Sequence, residues 1–166
     1  VIRAASVDDA AALAGVQTRA WAHGFADFMS RDALAATLSL EQREERWRQG
    51  LADPATATWV WEQGGAVVAF ASIGPSHDED AEEGVGELVA LYVDPHAQGA
   101  GLGGVLLDRA VAGLRERGFR AAVLWTFEDN GLARRLYQRR GWTLDRAGVP
   151  GHVPGWPLSA RYRREL

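Results

Sequence analysis

The stretch "ELVALYVDPHAQGAGLGGVLLDRAV", residues 87–111, decides how the chain is read. An apolar run ends at Val93, a Pro-containing turn follows, and a glycine-rich loop opens into an amphipathic helix. On that helix Leu102, Leu106, Leu107, Ala110, Val111 and Leu114 share one side. Asp108, Arg109, Arg115 and Glu116 share the other. Two phosphate-loop patterns overlap in "QGAGLGG" (98–104). Gly99, Gly101 and Gly104 satisfy G-x-G-x-x-G, the dinucleotide spacing. Gln98, Gly101 and Gly103 satisfy Q-x-x-G-x-G, which serves a different ligand.

Context separates the two. In a dinucleotide fold the first glycine closes the opening strand of the domain directly. Here Asp94 to Gln98 intervene between Val93 and Gly99, and three strands come before the one that ends at Val93. The acidic residue expected roughly 20 positions on is Glu128 or Asp129, which lies beyond the next strand. A nicotinamide-dependent reductase is therefore disfavoured. A helix N-terminus behind a glycine loop offers backbone N–H groups and a favourable dipole to an anion, so a ligand-free turn is the weaker reading.

Working outward, "VIRAAS" (1–6) predicts a strand, and Ser6 to Asp9 start a helix running to about Trp21. Leu13, Val16, Ala20 and Trp21 are its inner positions. A second helix is predicted over 31–38. Ser39 and Gln42 form a capping box for a third, which carries Leu40, Trp47 and Leu51. "TATWVWEQ" (56–63) alternates, and Gly64-Gly65 turns it into "AVVAFASI" (66–73). An acidic loop (74–84) precedes a strand over 85–93, whose apolar content predicts burial on both faces. Beyond the glycine loop come a helix (101–117), a strand (119–127), a helix (131–140) and two closing strands, "WTLDRA" and "LSARYRRE". This order predicts a single α/β domain over 1–166, a mixed sheet flanked by helices.

Composition removes several chemistries. The chain has no cysteine, so no disulfide, thiolate metal site or Cys nucleophile exists. All 18 basic residues are arginine, which removes a phosphate-loop lysine and a Schiff-base lysine. His23, His77, His96 and His152 lack ligand spacing and no G-x-S-x-G occurs, so no metal site is expected. A net charge of −4 argues against nucleic-acid and anionic-membrane partners. The longest apolar run is far short of a membrane span. No leader of secretory type opens the chain, and a cytoplasmic location is expected. The start at Val1 rather than Met is read as the loss of a short N-terminal piece.

The Q-x-x-G-x-G pattern continues in "LWTFEDNGLARRLYQRRGW", with Asn130, Ala133, Tyr137, Gly141 and Trp142 in order. Over 85–142 the chain resembles the Gcn5-related N-acetyltransferase (GNAT) superfamily. That resemblance implies a mostly antiparallel central sheet. It also implies transfer of an acetyl group from acetyl-CoA to a small-molecule or peptide amine. By the same resemblance, the pyrophosphate is held by Gln98, Gly99, Ala100, Gly101, Leu102, Gly103 and Gly104. The pantetheine arm lies between two splayed strands against Leu91, Tyr92 and Val93, with Asn130, Ala133 and Tyr137 as the second cofactor element.

Amine acetylation needs a base, an oxyanion donor and an acid for the leaving thiolate. The resemblance sets the Tyr137 hydroxyl beside the CoA sulfur, as the acid. Glu87, read as alternating with Val89, Leu91 and Val93 on an apolar strand face, is the expected base, directly or through water. A backbone N–H near Val93 is the expected oxyanion donor. Asn130 also suits a helix cap. Arg134, Arg135, Arg139 and Arg140 read as a solvated face, with the cofactor 3′-phosphate as their other use. Trp21, Phe25, Trp59, Trp61 and Trp125 are the expected acceptor pocket. "DEDAEE" (78–83) is a solvated loop able to attract a cation at long range. A homodimer is a further expectation. The reading set against catalysis is a non-catalytic acyl-CoA-binding sensor.

Overall fold

A computed structural model of the chain describes residues 1–37 and 39–166; Leu38, the last position of the predicted 31–38 helix, lies outside them. The strands are β1 (Ile2–Ala4), β2 (Ala57–Gln63), β3 (Ala66–Pro75), β4 (Val85–Val93), β5 (Ala121–Phe127), β6 (Thr143–Val149) and β7 (Ser159–Glu165). The helices are α1 (Ala10–Gly24), α2 (Arg31–Ala35), α3 (Leu40–Ala52), α4 (Leu102–Glu116) and α5 (Gly131–Arg139). The predicted order of elements holds, with α1 one turn longer than expected and α2 shorter. The predicted capping box is present, Ser39 accepting from Gln42 N at 3.2 Å while its own N–H reaches Gln42 Oε1 at 2.9 Å. Leu40 is 50% exposed and does not join the core.

The strands form one seven-stranded sheet in the order β1-β2-β3-β4-β5-β7-β6. Every neighbouring pair is antiparallel except β4–β5. Leu106, Leu107, Ala110 and Leu114 of α4, with Tyr137 of α5, pack on one face of the sheet against Ala69, Ala71, Ile73 and Leu88. Leu13 and Val16 of α1, with Trp47 of α3, pack on the other against Val60, Phe70 and Ala90. The amphipathic periods of α1 and α4 thus meet opposite faces of one alternating sheet.

Two irregularities in the middle of the sheet shape the site. The parallel β4–β5 pairing runs from Val85↔Ala121 to Leu88↔Leu124 and stops there. Beyond Leu88 the two strands part, leaving a wedge between Val89–Val93 and Trp125–Phe127. The parting coincides with a bulge: Ile73 opposes Leu88 and Ser72 opposes Ala90, so Val89 has no opposite residue. A bulge bends its strand and increases the local twist, which carries the end of β4 away from β5.

The bulge also resets which side chains share a face. Leu88, Leu91 and Val93 join the α4 cluster, whereas Ala90 and Tyr92 join the α1 cluster. Glu87 opposes Gly74, which lies on the Phe70 side of β3. The expected alternation of Glu87 with Leu91 and Val93 is therefore wrong. Glu87 lies on the α1 face, because one unpaired residue inverts the parity of everything after it. Burial of the strand on both faces holds only in part, since Val89 is 52% exposed.

Candidate active site

The wedge opens into a cleft of about 640 Å³. At its mouth Asp94 caps the short Pro95–Ala97 turn by accepting from His96 N at 3.1 Å. Arg19 of α1 holds the same carboxylate at 2.7 Å. Gln98 donates Nε2 to Val93 O at 3.4 Å, which folds the loop back over the strand end. Gly99 and Gly101 have φ of +85° and +77°, a region that side chains disfavour. A Cβ at either would meet no atom of the protein within 4 Å, so their surface is free for a ligand. The first N–H groups of α4, at Leu102 and Gly103, have no acceptor within a helix. They lie at its positive end, an arrangement suited to phosphate.

Gln98, Gly99, Gly101, Leu102, Gly103 and Gly104 line the cleft, and Ala100 does not. Leu91, Tyr92 and Val93 form one wall; Asn130, Ala133 and Tyr137 stand on the other side. Asn130 caps α5 through a bond from Ala133 N at 3.2 Å. Of the neighbouring arginines, Arg139 lines the cleft. Arg134 donates to Tyr162 Oη and to Glu128 O, both at 2.8 Å. Arg140 pairs with Asp108 and with the Gly104 carbonyl. Tyr137 is 7% exposed, and burial pushes its phenol well above the ordinary tyrosine value.

Glu87 sits beside the cleft without lining it. Its carboxyl is pushed up to about 7, first by burial and then by the charge of Asp78; a hydrogen bond from the His77 backbone acts the other way. Asp78 also accepts from Trp125 Nε1 at 3.0 Å. The acidic loop is therefore partly built into the fold. Arg161, buried on β7, binds Asp78 at 2.9 Å, Asp80 at 2.7 Å and Asp145 at 2.6 Å. Asp78 and Asp80 therefore already carry a counter-charge, which weakens the loop's long-range attraction for a cation.

Of the expected acceptor residues, Trp21, Phe25 and Trp125 line the cleft. Trp59 and Trp61 do not. They stand on β2, opposite Ala4 and Ile2 of β1, and pack against the α4 cluster. The Trp59 ring lies against Gly113 and under the Arg109 guanidinium, 4.5 Å from the ring centroid. Strict alternation correctly put both on one face, but that face is the α4 side of the far edge. Sequence reasoning missed Phe127 and Trp156, which complete the aromatic wall. Trp156 follows "GHVPG" (151–155), and an apolar ring in a Gly/Pro-rich connection was the available signal. Among the described residues no group of side chains has the arrangement of a metal site, and no helix is long and apolar enough to cross a membrane.

A half-parted sheet with a glycine-rich helix start at its mouth defines an acyl-CoA-type fold. The acetyltransferase (GNAT) family model matches residues 20–142, and the chain belongs to that family. It is 34% identical over 134 residues to a mycothiol acetyltransferase from Geodermatophilus obscurus, covering 78% of this chain and 42% of that protein. The chain spans less than half the length of the curated relatives it matches. Among solved structures, it is 25% identical to a ribosomal-protein-alanine N-acetyltransferase from Brucella melitensis, with a TM-score of 0.79 and coverage of 100% and 99%. YncA from Salmonella typhimurium, solved with its cofactor acetyl-CoA, is 28% identical, with a TM-score of 0.76 and coverage of 100% and 93%.

Proposed function

We propose that this chain transfers the acetyl group of acetyl-CoA to the nitrogen of an amine, within one ternary complex. The observation that carries the reading is the parting of β4 from β5 after Leu88, with the α4 N-terminus at its mouth. Such a gap leaves strand backbone free to pair with an amide-bearing arm, while Gly99 to Gly103 receive the pyrophosphate on backbone N–H groups. Binding through backbone donors suits a chain without lysine.

In the reaction the amine lone pair forms a C–N bond at the thioester carbonyl, and the C–S bond breaks. A backbone N–H near Val93 bonds the developing oxyanion. The proton lost by the amine passes to Glu87 through water, since Glu87 stands behind the cleft wall. Tyr137 enters each cycle protonated, because burial raises its phenol, and donates to the departing sulfur. Neither Cys nor Lys is present to carry the acetyl group, which favours direct attack. The reaction is placed in the cytoplasm, where acetyl-CoA is made and used.

The test is thiol release from acetyl-CoA across a panel of amines, with initial rates measured in both substrates. Intersecting lines are expected; a stoichiometric acetyl-protein that passes its acetyl group on would overturn the ternary mechanism. A non-catalytic acyl-CoA sensor is the second reading, favoured by the position of Glu87 outside the lining. It requires saturable acetyl-CoA binding with no thiol release for any amine.

A further inference from the structure

Part of the cleft is built from aromatic rings rather than from the glycine loop. Trp21 and Phe25 from α1, Phe127 from β5 and Trp156 from the β6–β7 connection meet there, over Trp125. The rings form a continuous wall: Trp21–Phe25 centroids are 4.8 Å apart, Phe25–Phe127 5.2 Å and Phe127–Trp156 5.8 Å. Such a wall would be indifferent to ligand polarity if its indole N–H groups faced the cavity with free donors. They are all engaged by protein. Trp21 donates to Tyr92 Oη at 3.0 Å, Trp125 to Asp78 at 3.0 Å, and Trp156 to Ala33 O at 3.3 Å.

Charge is equally sparse. Among the described residues no Asp or Glu lines the cleft, and its one arginine, Arg139, belongs to α5 beside the glycine loop. Gln98, Thr126, Asn130, His152 and Ser159 offer polar atoms elsewhere on the lining. Against the four rings, however, a polyhydroxylated amine would exchange water for ring faces, and a second cationic group would find no carboxylate on the lining. An apolar body would meet ring faces and edges along its length.

We infer that the wall of Trp21, Phe25, Phe127 and Trp156 is an acceptor subsite for a primary amine on an uncharged, apolar body of aryl-alkyl type. The inference rests on the acetyltransferase reading and narrows it. The ring stacks along the wall, so the amine at the end of a short alkyl arm reaches the thioester between β4 and β5.

The experiment titrates the CoA-saturated protein calorimetrically with phenethylamine, glucosamine and putrescine, and measures acetyl transfer to each in parallel. Phenethylamine is expected to bind at least tenfold more tightly than either other amine. Trp156→Ala should weaken it about tenfold, consistent with loss of one buried aromatic contact, through KM rather than kcat. Trp156→Leu, which keeps apolar volume, should recover part of that loss and guards against a folding defect. Equal or tighter binding of glucosamine or putrescine overturns the inference while leaving acetyl transfer intact. So does a Trp156→Ala variant that is folded and unchanged towards phenethylamine. Failure of the protein to bind CoA at all would instead remove the acetyltransferase reading itself.

Discussion

Trp125 donates its indole N–H to Asp78 at 3.0 Å, so the aromatic floor of the cleft is tethered to the acidic loop. Asp78 is at the same time an ion-pair partner of buried Arg161 and a negative neighbour of Glu87. One carboxylate thus links the cleft floor, the β7 core and the expected base.

Arg161 is the hub of that network, bound to Asp78, Asp80 and Asp145 with only 9% of its side chain exposed. Arg161→Met should remove the counter-charge from Asp78 and Asp145, leave Asp80 with Arg146 alone, and lower stability by about 3 kcal/mol. Urea unfolding measures the loss. Quenching of Trp125 fluorescence should change with it, since the tether is released.

Gly101→Val places a β-branched residue at φ +77°. Its intrinsic cost is about 1–2 kcal/mol, and its side chain occupies the space a phosphate would use. Acetyl-CoA affinity measured by calorimetry should fall more than tenfold. An undiminished affinity would refute the loop's assignment.

Tyr137→Phe removes the hydroxyl and keeps the packing against Trp142 and Tyr162. With an accepted amine, kcat should drop about 10²-fold while acetyl-CoA binding changes little. Equal kcat values, under conditions where chemistry limits the rate, would leave Tyr137 as packing alone.

Glu87 must be ionised to accept a proton, so activity should fall as pH drops through about 7. Asp78→Asn removes a charge that opposes this ionisation and should move that acid limb to lower pH. Stability carries the opposite sign. The folded-state value is raised from 4.5 to about 7, so the folded protein holds this proton more strongly than the unfolded chain. That contribution is full below about 4.5 and lost as pH rises through about 7. Glu87→Gln does not titrate and should melt above the wild type at pH 8. The gain is at most about 3 kcal/mol and fades towards pH 5. A melting difference independent of pH would show that burial does not perturb Glu87.

The sequence by itself determined the elements and the glycine-rich loop at the mouth of the cleft. Both are local: the apolar run to Val93, the glycines at 99 and 101, and the spacing from Leu102 to Leu114 act within a few residues of one another. Their φ requirements and periodicity can therefore be read along the chain. Only the tertiary structure decided which face each strand residue presents. The Val89 bulge exists because of how β3 and β4 align, and it moves Glu87 to the α1 side. Likewise, Trp59 and Trp61 alternate as neatly as any cleft-lining pair, yet they pair with β1 at the far edge. Phe127 and Trp156 meet Trp21 only because β5, the β6–β7 connection and α1 converge on one side of the parted sheet. Pairing register and the meeting of distant segments are set by the packing of the whole core, so no window of sequence contains them.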